Sequence, residues 1–256
     1  MIHKAKKSLG QNFLKSNLAL KKIVEAGEIK ESDVILEIGP GKGALTEELL
    51  KTGAKVFAVE KDTQLFGFLQ DKFALQINSG SLVLVHEDIL EFQASAYSLK
   101  PSAYKIIANI PYNITGAILK KFLTEQNQPE RMILMVQHEV AKRIVANDKK
   151  ESILSTSVKA YGEPKMIMKV PARYFSPAPK VDSAVIAIKH ISREKFSKND
   201  VNEEKFWEIV KTGFAHKRKM LSGNLKGVVT EEILNNFGQK RAEDLTLEDW
   251  MSITRA

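Results

Sequence analysis

Asn109, Ile110, Pro111 and Tyr112 stand in an unbroken row behind an apolar run, within KIIANIPYNIT. A side-chain amide, a free carbonyl, a rigid ring and an aromatic in that order suit one task. The Asn109 amide oxygen and the Ile110 carbonyl can accept the two N–H bonds of a planar exocyclic amine. Such an amine is a poor nucleophile because its lone pair is delocalised, and two acceptors hold it and favour a more pyramidal nitrogen. Pro111 rigidifies the turn, and Tyr112 offers a face on which an extruded base can stack. A proline loop with a core tyrosine is the alternative without chemistry.

A second cluster lies upstream. In LEIGPGKGALTEEL (Leu36–Leu49) an apolar run passes straight into Gly39, Gly41 and Gly43 and then into a helical pattern. Glycines let the backbone turn sharply and approach a ligand, and the helix start offers free N–H groups. The spacing Gly39-x-Gly41-x-x-Ala44 also satisfies the dinucleotide fingerprint. Glu60 ends the next apolar run, where a carboxylate can accept from both hydroxyls of a ribose. Asp88 follows the third, placed to accept from an adenine amino group, with a helix cap as its structural alternative. Together they call for a nucleoside cofactor, NAD or S-adenosylmethionine.

The Asn109–Tyr112 row resembles the Asn/Asp-Pro-Pro-Tyr motif of methyltransferases that act on planar amino groups, which selects S-adenosylmethionine. The chain has no cysteine. Methylating a ring carbon of cytosine usually requires a cysteine nucleophile, and radical methylation of adenine carbon requires a cysteine-ligated cluster, so a nitrogen target survives. The same absence removes disulfides and thiolate metal sites, and no metal is expected.

These residues must be held by a scaffold. Val34–Ile38, Lys55–Val59, Leu82–Val85, Ile106–Ala108 and Met132–Val136 read as buried strands. Helical patterns alternate with them: Ala44–Leu50, a stretch after Asp62 as cap, and one after Thr115 as cap. This alternation predicts an α/β fold, a Rossmann-like parallel sheet with helices on both faces. Lys165–Val170 and Val181–Lys189 read as an antiparallel hairpin around PARYFSPAPK. Ser192–Asn202 reads as a polar linker, followed by helices at Glu203–Ala215, Thr230–Phe237 and Leu247–Ile253. The expected division is a catalytic domain at 1–191, including an N-terminal arm, and a small all-helical RNA-binding domain at 192–256.

The 256 residues allow a full core, and 43% hydrophobic with 27% charged residues speaks against disorder. The longest apolar runs are far short of a bilayer span, and Lys21 and Lys22 interrupt the nearest signal-like stretch. A cytoplasmic protein without membrane attachment is expected. The net charge of +8 is concentrated: residues 1–30 hold seven lysines against two acids. A basic arm beside a near-neutral body suggests a polyanionic partner, nucleic acid ahead of membrane. Lys4, Lys6 and Lys7, and separately Lys217, Arg218 and Lys219, are the expected phosphate contacts.

From end to end the chain resembles the ribosomal RNA adenine dimethylases. KKSLGQNFL (Lys6–Leu14), LEIGPGKGALTEEL, EDIL, NIPYNIT, QHEVAKRI (Gln137–Ile144), YFSPAPKVDSAVI (Tyr174–Ile186), FAHKRKML (Phe214–Leu221) and RAEDLTLEDW (Arg241–Trp250) occur in the family's order. The resemblance implies a methyltransferase sheet with a C-terminal helical domain, and Asn12 and Leu14 as further cofactor contacts. It also implies Phe175 as the second ring around the target adenine. LGQNFL, Pro40 and Asp182 are nearer the branch that modifies two adjacent adenosines near the 3′ end of small-subunit RNA than the large-subunit branch of macrolide resistance. The implied partner is the small ribosomal subunit, met by a monomer. An assembly factor whose methyl transfer is incidental, a large-subunit dimethylase and a protein-glutamine methyltransferase remain as alternatives.

Overall fold

Every apolar run read as a strand in the first two-thirds of the chain is one. The computed structural model describes residues 6, 10–146 and 150–255. Its elements, in chain order, begin with β1 (Phe13–Leu14), α1 (Asn17–Gly27), β2 (Val34–Ile38), α2 (Ala44–Leu50), β3 (Lys55–Glu60), α3 (Thr63–Lys72) and α4 (Ala74–Asn78). Then come β4 (Leu82–His86), β5 (Lys105–Asn109), α5 (Thr115–Thr124), β6 (Arg131–Gln137), α6 (His138–Val145) and α7 (Ile153–Tyr161). The remainder are β7 (Glu163–Val170), β8 (Phe175–Ser176), β9 (Ser183–Lys189), α8 (Glu194–Lys198), α9 (Glu203–Gly213), α10 (Leu221–Asn224), α11 (Glu231–Phe237) and α12 (Leu247–Arg255).

The first compact unit comprises Met1–Ala141 and Lys165–Ile191. Its seven-stranded sheet has the order β4-β3-β2-β5-β6-β9-β7. The pairs from β4 to β6 are all parallel, with Val34 opposite Lys55 and Asn109 opposite Met135 as register marks. The strand β9, expected as one arm of an antiparallel hairpin, runs antiparallel to β6, so the sheet as a whole is mixed. Between β7 and β9 lie only a 3-10 turn at Ala172–Tyr174 and the two-residue β8, too little for the long crossover that a parallel return needs. Strand order reverses at β2, between β3 and β5, which opens a crevice beyond the carboxyl ends of those strands. Ile35, Val56, Ile107, Ile133 and Val185 are buried in the core beneath that crevice.

Local sequence explains the helix starts. Asp62 accepts from the Gln64 and Leu65 amides and caps α3. Thr115 does not cap α5: it is the first helical residue, and its hydroxyl donates to the Tyr112 carbonyl. Gly43 opens α2 at φ +77°, and a Cβ there would lie 2.5 Å from the Phe73 ring. Both the left-handed backbone and the close approach require glycine.

The second unit comprises Lys142–Pro164 and Ser192–Ala256. The chain divides again between 191 and 192, and residues 142–164, which the sequence reading groups with 1–191, fall in this second unit. The α7 face explains the difference: Tyr161 stacks on Trp207 at 6.2 Å and meets Phe196 at 5.5 Å. Its hydroxyl also donates to Glu203 and accepts from the Trp207 indole. The expected linker at 192–202 contains α8, because Phe196 is buried in this aromatic cluster. Trp250 of α12 is fully buried against α9, where a Cβ on Gly213 would lie 2.4 Å from its ring.

Candidate active site

A cavity of about 720 Å³ opens in the crevice. Asn12, Leu14, Gly39, Gly41, Glu60, Asp88, Asn109 and Tyr112 all line it. Five separate stretches of chain therefore converge on one crevice.

Glu60, at the end of β3, is 6% exposed. Its Oε2 accepts from the Gly41 amide at 3.1 Å and its Oε1 from the Asp62 amide at 2.8 Å. Burial raises its pKa, an effect that these amides oppose and the nearby Asp62 charge reinforces. Each carboxylate oxygen has a second lone pair, which suits the two hydroxyls of a ribose. Asp88 is less enclosed. Burial pushes its carboxyl upward, but the Lys61 ammonium at 2.5 Å and the Leu90 amide outweigh that and hold it below the ordinary carboxylate value. Gly39 and Gly41, at φ +62° and +61°, bring bare backbone to the cavity wall. These are groups that fit a nucleoside with a charged side arm.

Asn109 closes β5, and its Nδ2 donates to the Asn12 carbonyl at 3.2 Å. That bond fixes the amide's orientation and leaves Oδ1 as its acceptor end. The Asn12 side chain in turn donates to the Gly10 carbonyl. Tyr112 lies in a short 3-10 turn, with its hydroxyl 2.5 Å from that of Ser183 at the start of β9. Burial raises the Tyr112 pKa, so the ring is a neutral phenol at physiological pH.

Phe175 is placed differently. It is 3% exposed, within the apolar cluster that includes Leu14, Val170 and Val185, and its neighbour Ser176 lines the cavity instead. The two-residue ladder of β1 with β8 sets this arrangement, pairing Leu14 with Phe175 and Phe13 with Ser176. In this structure the second ring expected around the base is a core residue behind the N-terminal arm.

Sequence reasoning missed Glu37. It is the penultimate residue of β2, 1% exposed, and lines the cavity. Burial pushes its carboxyl up to about 8, helped by the Glu60 charge and opposed by the Thr46 hydroxyl that donates to it at 2.7 Å. An acid in the otherwise apolar run VILEI was the available signal.

Among the expected phosphate contacts, Lys6 pairs with Asp62 at 2.8 Å. Lys4 and Lys7 lie outside the described residues. Lys217, Arg218 and Lys219 are exposed in the segment between α9 and α10. Among the described residues no cluster of three or more His, Asp or Glu side chains could hold a metal ion, and no helix is long and apolar enough to cross a membrane.

The sequence profile of the ribosomal RNA adenine dimethylases matches residues 2–256. The ribosomal RNA small subunit methyltransferase A of Dehalococcoides mccartyi (strain CBDB1) is 40% identical over 259 residues, covering 98% of this chain and 87% of the relative. That of Fusobacterium nucleatum is 37% identical over 265 residues, covering 100% and 98%. A dimethyladenosine transferase from Plasmodium falciparum superposes with a TM-score of 0.80 at 24% identity, covering 94% of this chain and 95% of that one, and so shares the fold.

Proposed function

The chain belongs to the ribosomal RNA adenine dimethylase family, and from that premise we propose that it dimethylates the exocyclic amines of two adjacent adenosines near the 3′ end of small-subunit RNA. It is an S-adenosylmethionine-dependent methyltransferase. The observation that carries the reading is the meeting of the Asn109 amide and the Glu60 carboxylate in one cavity.

Glu60 and Asp88 would hold the cofactor's ribose and adenine, with Asn12, Leu14, Gly39 and Gly41 shaping the wall. When bound, the cofactor supplies an electrophilic methyl group on a sulfonium. Asn109 Oδ1 and the Ile110 carbonyl receive the two N–H bonds of the target amine. These bonds strengthen as the nitrogen becomes more positive, so they favour the transition state over the ground state. Neither oxygen is basic enough to keep a proton, which leaves for solvent. After one transfer a single N–H remains, and one acceptor still orients it for the second. Tyr112 provides the stacking face.

The helical unit, with its exposed Lys217–Lys219 segment, is read as the part that engages ribosomal RNA. The protein would then act as a monomer in the cytoplasm. Incubation with undermethylated small subunits and labelled cofactor, followed by nucleoside mass spectrometry, tests the reading. Dimethyladenosine is expected from the wild type, and its loss with cofactor binding retained from Asn109→Ala. Label on another nucleoside, or on protein, would reject it.

A further inference from the structure

Asp62 carries more than a helix cap requires. Its side chain is fully buried, and one oxygen, Oδ1, accepts from Gln64 at 2.9 Å and Leu65 at 3.3 Å. The other, Oδ2, faces the far end of the chain. It accepts from Gln11 Nε2 at 3.1 Å and pairs with the Lys6 ammonium at 2.8 Å. Gln11 is held in turn, since its Oε1 accepts from the Lys6 amide at 2.8 Å. Burial alone would raise the Asp62 pKa, but Lys6, the Leu65 amide and Gln11 outweigh it and keep the carboxylate charged.

The residues just beyond Gln11 form part of the cavity wall. Gly10–Leu14 line it, yet the regular structure they contribute is the two-residue β1. So short a ladder is a weak anchor. The peptide between Glu60 and Asp62 joins this arm to the opposite wall, because the Asp62 amide donates to the Glu60 carboxylate that also receives Gly41. The two acids stand back to back, one toward the cavity and one toward the arm.

We propose that Asp62 is a positioning residue that latches the N-terminal arm, through Lys6 and Gln11, as a wall of the cofactor pocket. The inference rests on the cofactor reading above for its consequence in binding, though the latch itself belongs to the free protein. Latching slows cofactor release, because the arm must detach before that wall opens.

Asp62→Asn isolates the effect. Asparagine is as good a cap as aspartate, so α3 keeps its start. Its Nδ2, however, faces two donors, Gln11 Nε2 and Lys6 Nζ. Flipping the Gln11 amide only moves the conflict to the Lys6 amide. The double variant Asp62→Asn/Gln11→Glu restores an acceptor to the amide and a carboxylate to Lys6.

The experiment measures hydrogen exchange at residues 10–15 in the free protein, S-adenosylhomocysteine release by stopped flow, and melting temperature, for all three forms. Asp62→Asn is expected to speed both exchange and release by about tenfold, the scale of a lost charge-assisted hydrogen bond. Its melting temperature stays near wild type, and the double variant recovers both rates. Unchanged exchange in Asp62→Asn, or a double variant as fast as the single one, would overturn the latch. A wild type that fails to bind S-adenosylhomocysteine would instead sink the cofactor reading, with exchange alone still deciding the latch.

Discussion

Replacing Glu37 by glutamine should flatten the pH dependence of stability and strengthen the protein above neutrality. In the folded protein burial pushes the Glu37 carboxyl up to about 8, against a starting value of 4.5. Between those values the folded chain holds a proton that the unfolded chain has released. The stabilising contribution of that proton is complete below about pH 4.5 and is lost as pH rises through about 8. At about 1.4 kcal/mol per pH unit, the loss is at most about 5 kcal/mol, with about 3 kcal/mol of it gone by pH 7. Glutamine has nearly the same shape and can still accept from Thr46. Its buried NH₂ costs about 1–3 kcal/mol if unpaired, but equally at every pH. The variant should therefore be slightly weaker than wild type near pH 5 and about 2–4 kcal/mol stronger above pH 8. Urea unfolding of both forms across this range, without cofactor, gives the difference directly. A wild-type-minus-variant difference that stays constant with pH would refute the reasoning, because it would mean that Glu37 is not buried as a neutral acid.

Phe175→Ala should cost about 3–5 kcal/mol of stability by calorimetry, as for any large core side chain; wild-type melting with activity lost per folded molecule would return the ring to the substrate site. Glu60→Gln should weaken S-adenosylhomocysteine binding by about tenfold in titration calorimetry; it is preferred to alanine because an acceptor remains for Gly41 or Asp62, and unchanged affinity would remove Glu60 from the ribose. Charge reversal at Lys217, Arg218 and Lys219 should lower affinity for small subunits and flatten its salt dependence, since fewer counterions are released; an unaltered slope would leave these residues as solvated surface.

The parts of the site that could be read in the sequence are those in which one residue type meets one backbone need. Gly39, Gly41 and Gly43 after VILEI, an acid at or just beyond the end of each of two strands, and the Asn109–Tyr112 row each mark their own place. What escaped depends on partners far along the chain. Phe175 sits in the proline-rich connection of the expected hairpin, and its burial arises from pairing with Leu14. Two residues are too few to show alternation. Residues 142–164 carry a helical pattern that fits either unit, and the Tyr161 ring decides it by meeting Phe196 and Trp207. Asp62 was legible as a cap, but nothing local reveals where its second oxygen points.

The short ladder of β1 with β8 also bears on how the molecule comes into being. On the ribosome the arm emerges well before the residues that receive it, Phe175 and Ser176, which come late in the first compact unit. The strand that flanks β6, β9, comes later still. At ordinary rates of synthesis the gap is on the order of ten seconds, long compared with the closing of local helices and turns. A nascent chain can thus build β2 to β6 and shape the glycine turn while one side of its pocket still lacks a seat. The wall that β1 and β8 share can close only once Phe175 and Ser176 have been translated.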